Sequence, residues 1–368
     1  MKIGIDARMF GPGFGIARYV EQLVLHLEKI DTENEYVIFL KKENFDSYTP
    51  HNKNFKKVLA DIPWYGWKEQ ILLPFIFLKE KVDLIHFPHW NIPVLYPKKF
   101  VVTIHDLIMF HFPRQEASTH GPFVYYLKDQ MHRFLVRYSA TRAKCIFVTS
   151  EFTLRDMHET LGVPNEKMLV TYQAPFIKMN NEQLTINKKP NEDVLKKYGI
   201  KKPYVLYVGA AYPHKNLENL LLAWKIFGEK HPEYQLVLAG KENFFYKRFI
   251  ETPAWKELKS VVYTGFVSDE ELEVLYQEAK LFIFPSLYEG FGLPPLEALA
   301  RGVPVVAANA SCLPEILQDA ALYFDPTRPD EMAEVLEQGI TNPVVGGEEF
   351  VKRYSWDELA RQTRELYK

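Results

Sequence analysis

The sequence predicts an α/β protein of two domains, each a mainly parallel sheet covered by helices, with the two sheets facing across a cleft. Short β-rich runs alternate with helix-forming stretches, the alternation lapses once near the middle, and 368 residues suffice for two independent cores.

The first half opens with KIGIDA and continues with YVIFL at 36–40, KKVLA at 56–60, DLIHF at 83–87, FVVTI at 100–104 and CIFVT at 145–149. MLVTY at 168–172 reads as its last strand. From 176 to 190 the chain is polar and has no regular apolar period, which predicts the connection between domains. The second half restarts with YVLYVG at 204–209 and repeats with QLVLAG at 235–240, VVYTG at 261–265, LFIFPS at 281–286 and VPVVAA at 303–308. Ser268 with Glu271 predicts a capping box ahead of ELEVLYQEA, and Ser355 with Glu358 predicts another ahead of the last helix. The expected boundaries are 1–180 for the first domain, 181–190 for a linker, 191–350 for the second domain and 351–368 for a terminal helix.

Forty-five basic against forty-seven acidic residues leave a formal charge of −2, so the composition offers no whole-protein attraction to nucleic acid. Cys145 and Cys312 lie far apart and form no metal-ligand or redox spacing, and the N-terminus enters a strand rather than a signal peptide. Both features predict a cytoplasmic protein. No apolar run is long enough to span a bilayer. ILLPFIFL at 71–78, interrupted by Pro74 and followed by KEK, pairs with WYGW at 64–67 either as a lipid-facing patch or as internal packing. Short apolar runs are usually buried, which favours packing; the lipid-facing reading predicts peripheral contact with the inner face of the cell membrane.

The stretch FPSLYEGFGLPPLEALARGVPVV, at 284–306, concentrates the chemistry. Its strand ends near Pro285, Pro294 and Pro295 suit the first turn of a helix, Gly302 suits the stop, and Pro304 lies just beyond. Glu289 therefore falls in the loop and Glu297 inside the helix. The N–H groups of Gly290, Phe291 and Gly292, near a helix start, suit phosphate or another anion. Ionised carboxylates accept hydrogen bonds from sugar or ribose hydroxyls. The same spacing also fits an ordinary loop, with Glu289 solvated and Glu297 a charge on the helix surface.

This stretch resembles the donor-binding signature of retaining GT-B glycosyltransferases of the family 4 type, in which seven residues separate two glutamates. The resemblance continues in order over nearly the whole chain. GIDARMFGPGFGIARYVEQL resembles the opening strand, glycine loop and first helix of the mannosyltransferase-like branch, and VVTIHDLIMFHFP resembles its His-Asp segment. VTSEFTLRDMHETLGVP, YVGAAYPHKNLENLLLAW, YTGFVSDEELEVLYQEA and NASCLPEILQDAALYFDP follow. The resemblance implies the GT-B fold of two Rossmann-like domains, a nucleotide-sugar donor, and a glycan or lipid-linked saccharide acceptor. It also implies retaining transfer, in which the leaving phosphate helps deprotonate the acceptor hydroxyl on the same face of the sugar. No cofactor is implied; the chain has no Asp-x-Asp motif in a supporting loop, and no metal is expected.

By the same resemblance Glu289 contacts the transferred sugar, Glu297 holds the ribose diol, Lys215 contacts the diphosphate and His105 hydrogen-bonds the donor sugar. These imply His105, Lys215 and Glu289 as the catalytic set. Gly209, Lys241, Phe266, Gly290, Phe291, Gly292 and Leu293 complete the expected donor site. Gly13, Phe14, Gly15, Arg18, Asp106 and Ser150 form the expected acceptor or diphosphate loop. The chain departs from the common pattern where Gly209 is followed by Ala210 and Ala211 instead of arginine. Lys241 and Arg248 are the candidate replacements, each of which also reads as a surface charge.

GPGFG departs from dinucleotide-binding spacing, and the strand ending at Leu40 carries no acidic residue there, which argues against a nicotinamide enzyme. His86 and His89 lie close together without a further ligand, which predicts cleft packing or acceptor contacts rather than zinc. YSWDELARQTRELYK resembles the helix that crosses back to the first domain, with Trp356 as its anchor. The favoured function is hexose transfer, with mannose from GDP-mannose as the leading donor. A UDP-hexose or UDP-N-acetylhexosamine donor, a hydrolase or phosphorylase, and a non-catalytic nucleotide-sugar-binding protein remain open.

Overall fold

The computed structural model describes residues 1–11, 15–113, 121–176 and 191–367. The chain runs β1 (Lys2–Asp6), α1 (Ile16–Ile30), β2 (Glu35–Leu40), β3 (Phe55–Leu59), α2 (Trp67–Lys79), β4 (Leu84–Phe87), β5 (Phe100–Ile104), α3 (Ile108–His111), α4 (Pro122–Arg142), β6 (Ile146–Val148), α5 (Glu151–Leu161) and β7 (Met168–Val170). It continues through α6 (Asn191–Lys197), β8 (Tyr204–Val208), α7 (Leu217–Lys230), β9 (Gln235–Ala239), α8 (Phe244–Phe249), α9 (Pro253–Glu257), β10 (Val261–Gly265) and α10 (Asp269–Gln277). Last come β11 (Leu281–Phe284), α11 (Leu293–Leu299), β12 (Val305–Ala308), α12 (Leu313–Leu317), β13 (Ala321–Phe324), α13 (Pro329–Thr341), α14 (Gly347–Phe350) and α15 (Trp356–Tyr367).

Two compact units result, one of residues 1–173 with the segment from Tyr354 onward, the other Ala174–Arg353. The first boundary therefore lies before position 180. Arg301 explains why residues just past 173 belong with the second unit, since its guanidinium donates to the Phe176 carbonyl at 3.3 Å. The return to the first unit comes at Tyr354 rather than 351, because Arg353 is still held by the Phe350 carbonyl at 3.1 Å. The expected linker, 181–190, lies outside the described residues.

The first unit holds a seven-stranded sheet in the order β3-β2-β1-β4-β5-β6-β7, with every pairing parallel. One sheet face carries Val37, Phe39, Ile85, Phe87 and Val102 into a core with Leu73 and Phe77 of α2, Val136 and Ala140 of α4 and Met157 of α5. Alternation along the strands sends His86 and Thr103 to the opposite face, where they meet Tyr19 of α1 and Tyr367 of α15. On α15 the buried residues Trp356, Leu359, Ala360, Thr363 and Tyr367 form one helical stripe, which packs against α1. Asp357 fixes that packing, accepting from His26 Nδ1 at 2.7 Å and Lys29 Nζ at 2.9 Å. The terminal helix thus belongs to the first unit, and Trp356 is buried in it.

The second unit holds a six-stranded parallel sheet in the order β10-β9-β8-β11-β12-β13. Sequence reading missed β13: its four residues, ALYF, sit at the sheet edge beside one neighbour and are buried only at their two ends. The capping box of Ser268 and Glu271 forms as expected at α10. At α15 only half of the second box forms. Ser355 Oγ accepts from the Glu358 N–H at 3.4 Å, while the Glu358 carboxylate is taken by Arg361 and Gln362.

Pro74 does not break the 71–78 run, because α2 continues through it. Leu73 and Phe77 are buried as internal packing requires, but Trp67, Ile71, Leu72 and Phe75 on the other side of the same helix are exposed.

Candidate active site

All strands of the second sheet run parallel, so their C-terminal ends share one edge. The chain leaves β8 towards β9 and β10 on one side and returns to β11 on the other. Strand order reverses between β8 and β11, and loops that diverge at such a point leave a crevice for a ligand. Lys215 follows β8 and Glu289 follows β11. Lys215 Nζ donates to Glu289 Oε1 at 2.5 Å, with side chains only 16 % and 10 % exposed.

Local bonds hold both loops in place. Pro213–Lys215 forms one 3-10 turn, and Asn216 closes it in the left-handed region at φ 61°. The Asn216 amide then donates to the Pro285 carbonyl at 3.1 Å and the Pro326 carbonyl at 2.7 Å, while the Leu287 N–H donates to the His214 carbonyl at 2.7 Å. From the loop after β12, Ser311 Oγ accepts from the Glu289 N–H at 3.0 Å. Sequence reasoning missed Asn216 and Ser311. PHKN and NASC contained them, and a polar side chain at a turn able to adopt φ above zero was the available signal.

Gly290 and Phe291 are buried, and Gly292, at φ 94°, opens α11 with Pro294 and Pro295 in its first turn and half-buried Leu293 at its head. A Cβ on Gly292 would lie 2.9 Å from Leu313, so the turn requires glycine there. Glu297 is 4 % exposed and accepts from the Tyr276 hydroxyl at 3.2 Å. Neither glutamate is a solvated surface charge. Each is a buried acceptor, Glu289 of the Lys215 ammonium and Glu297 of the Tyr276 phenol.

Two further strand ends lie beside this pair. At the tips of β8 and β9 the backbones touch, since a Cβ on Gly240 would fall 2.0 Å from the Gly209 carbonyl oxygen. Tyrosines secure the contact: Tyr246 donates to the Gly209 carbonyl at 2.9 Å, Tyr263 to the Gly240 carbonyl at 3.0 Å, and their rings stack at 4.4 Å. Tyr207 donates to the Ala210 carbonyl at 2.8 Å, and burial pushes its phenol well above the usual tyrosine range. Lys241 is exposed and follows the glycine that touches Gly209. Arg248, one helix further on, lies over the Phe244 ring at 5.8 Å. Phe266, after β10, is 65 % exposed.

In the first unit, the expected positions are brought together only in part. His105 follows β5, and Nε2 bonds to the Pro88 carbonyl at 2.9 Å. A carbonyl can only accept, so the proton is on Nε2 and Nδ1 is the acceptor, 3.4 Å from the Gln173 amide. Burial pushes this imidazole down to about 4, so it is neutral at pH 7. Asp106 accepts from the Ile108 N–H at 2.9 Å, a local turn bond ahead of α3. Ser150 is fully buried as the N-cap of α5, accepting from the Thr153 N–H at 3.1 Å, which removes it from an open acceptor loop. Arg18 is 5 % exposed on α1, and Gly15 leads into that helix at φ 66°. Gly13 and Phe14 lie outside the described residues.

His86 is likewise no cleft residue. It is buried between the Tyr367 hydroxyl at 2.7 Å and Thr103 Oγ1 at 2.8 Å, and burial with the neighbouring His105 pushes it down to about 3. His89, Asp6 and Asn91 line a small concavity where the first sheet reverses, between β1 and β4. Beside it lies an unforeseen network. Buried Arg8 spans both Asp6 oxygens and Glu69 Oε1 at 2.8 Å and lies 3.9 Å from the Trp64 ring centroid. Nothing in the spacing pairs Arg8 with a glutamate sixty-one positions away. Among the described residues no three His, Cys, Asp or Glu side chains form a metal-binding group.

The fold and the second-unit site define a GT-B glycosyltransferase. Residues 15–174 match Glycosyltransferase Family 4 and residues 190–366 match Glycosyl transferases group 1, and the chain belongs to this family. It is 30 % identical over 308 residues to O-antigen chain mannosyltransferase B of Escherichia coli, covering 79 % of this chain and 76 % of that protein. It is 26 % identical to O-antigen chain mannosyltransferase RfbU of Salmonella typhimurium, covering 82 % and 78 %. Among solved structures, Anabaena Alr3699/HepE in complex with UDP-glucose superposes with a TM-score of 0.70 at 17 % identity, covering 100 % of this chain and 99 % of that one. The protein is a nucleotide-sugar-dependent glycosyltransferase acting on a saccharide acceptor.

Proposed function

We propose that the chain transfers a hexose, with retention at the anomeric carbon, from a nucleoside diphosphate sugar to a glycan or lipid-linked saccharide, and that mannose from GDP-mannose is the leading donor. The observation that carries the reading is the Lys215–Glu289 pair at the β8/β11 reversal. A diphosphate entering the crevice competes with Glu289 for the ammonium. Lys215 then stabilises the charge that grows on the leaving diphosphate, and Glu289 is released to accept hydrogen bonds from the sugar. Glu297, held by Tyr276, accepts from the ribose diol. In the transfer the bond from the anomeric carbon to phosphate oxygen breaks, the bond to the acceptor oxygen forms on the same face, and the acceptor proton passes to the departing diphosphate.

Mannose is favoured because both sequence relatives described above are mannosyltransferases by name. A UDP-hexose is the second reading, favoured by the UDP-glucose held in the structurally similar HepE. The test is a product-resolved donor screen with GDP-mannose, UDP-glucose, UDP-galactose and UDP-N-acetylglucosamine, with and without pooled lipid-linked saccharides. Acceptor-stimulated GDP release with an α-linked product supports retaining mannosyl transfer. Selective UDP release moves the donor to the second reading, and an inverted product contradicts retention.

A further inference from the structure

We propose that the outer face of α2, the loop after β4 and α4 together form a surface that docks the protein on an anionic phospholipid bilayer. This goes beyond the donor chemistry and does not depend on it. On α2 the exposed side chains Trp67, Ile71 and Phe75 recur every four residues, with Leu72 beside them, while Leu73 and Phe77 of the same helix are fully buried. On α4 Phe123, Leu127, Met131 and Phe134, at steps of four, four and three, make a second helical stripe, opposite the buried Val136 and Ala140. Phe75 is 67 % exposed and Phe123 72 %. Apolar surface of this extent on the outer face of a unit marks a contact site.

The two stripes are joined. The Val94 N–H donates to Gln70 Oε1 of α2 at 2.8 Å, and the Val94 carbonyl accepts from the Tyr138 hydroxyl of α4 at 2.8 Å. Trp90 packs edge-on to His132 of α4 at 4.4 Å, and the next residue after Val94, Leu95, is 62 % exposed. One loop therefore ties both helices together and adds an apolar side chain between them.

Charge selects the occupant. From 62 to 79 the sole acidic residue is Glu69, which is buried, while Lys68 and Lys79 are exposed. From 121 to 144 the sole acidic residue is Asp129, paired with Arg133 at 2.7 Å, while Lys128, Arg137, Arg142 and Lys144 are exposed. Within these two segments cations therefore outnumber exposed carboxylates and stand beside exposed aromatics, in a chain whose net charge is −2. Aromatic and aliphatic side chains enter the headgroup boundary while lysine and arginine meet anionic lipid, so a bilayer satisfies both at once. A second copy of the same basic face would be repelled. No described helix is long and apolar enough to cross a membrane, so the contact is peripheral.

The experiment is vesicle co-sedimentation of the full chain with phosphatidylcholine vesicles and with vesicles that also contain phosphatidylglycerol, at low and high salt. Two variants accompany it, Phe75→Ser/Phe123→Ser and Lys128→Glu/Arg137→Glu/Arg142→Glu. All five side chains are exposed, so both variants should melt as the parent does. The expected result is salt-sensitive binding that requires phosphatidylglycerol, with a loss on the order of a hundredfold in the charge variant and a marked loss in the aromatic one. No binding to either vesicle, or equal binding to both, overturns the proposal. Sedimentation velocity without lipid is the second arm: a dimer that dissociates in the aromatic variant assigns the face to a second copy and also overturns it. Donor turnover on a soluble saccharide separates these results from the transferase reading, which fails only in that assay.

Discussion

Lys215 Nζ and Glu289 Oε1 are 2.5 Å apart although seventy-four positions separate them in sequence, and the meeting point is where the second sheet reverses its strand order. Each group is largely withdrawn from water, so the pair survives screening that would weaken a surface ion pair. The same burial means that removing either partner leaves a charge with reduced solvation. On the proposed function, donor binding would exchange one anion for another at Lys215 and keep the ammonium compensated throughout.

Absence of arginine at Ala210 raises the question of a second cation for the diphosphate. Lys241 follows the glycine whose backbone touches Gly209, whereas the Arg248 guanidinium lies over Phe244. Lys241→Met should raise the donor KM by roughly tenfold, the effect of losing about 1.4 kcal/mol of charged contact, while Arg248→Met leaves it near the parent value. Initial-rate kinetics against donor concentration check the pair of variants.

Four histidines in the first unit are held neutral by burial: His86 and His89 are pushed down to about 3, His105 and His132 to about 4. In each case the folded state resists a proton that the unfolded chain accepts near pH 6.5, so the unfolded state binds more protons between those values. Stability is fully present above about pH 6.5 and falls as the pH is lowered towards 4, by up to about 1.4 kcal/mol per histidine per pH unit. Urea unfolding at a series of pH values reads this out directly. His86→Asn, which removes one titrating group, should flatten the slope.

Trp356 is 7 % exposed, and its ring centroid lies 6.4 Å from that of Tyr19, which in turn lies edge-on to His105 at 4.7 Å. Trp356→Ala should cost about 3–5 kcal/mol of stability by opening a cavity between α15 and α1. The variant's melting temperature measures the loss. Because the cavity borders Tyr19, kcat should fall even where the protein remains folded.

Much of this was legible in the sequence for a simple physical reason. Strands buried on both faces, such as YVLYV and FVVTI, are continuous apolar runs, and the alternation of such runs with helices dictates parallel sheets. The placement of Glu289 in a loop, Glu297 inside a helix and Lys215 in a turn was legible because these elements are short and bounded by glycine and proline. What stayed hidden is long-range pairing. Arg8 with Glu69, Glu297 with Tyr276 and Glu289 with Ser311 depend on which helices and loops the sheet order brings together. Ser150, buried as the N-cap of α5, shows why such readings are ambiguous: a capping side chain and a ligand-binding one are the same residue types at the same end of a strand. The exposure of Phe75 was hidden as well, since an apolar run does not show which of its sides lacks a cover.

On the proposed function, Lys215 and Glu289 together handle the donor. The most direct measurement compares Lys215→Met and Glu289→Gln with the parent for turnover of the preferred donor and for binding of its nucleoside diphosphate, with melting curves to confirm folding. Both variants are expected to fold, kcat to fall by about 10²–10³ in each, and nucleoside diphosphate binding to weaken for Lys215→Met but not for Glu289→Gln. Folded variants that turn over the donor at the parent rate would contradict this role of the pair.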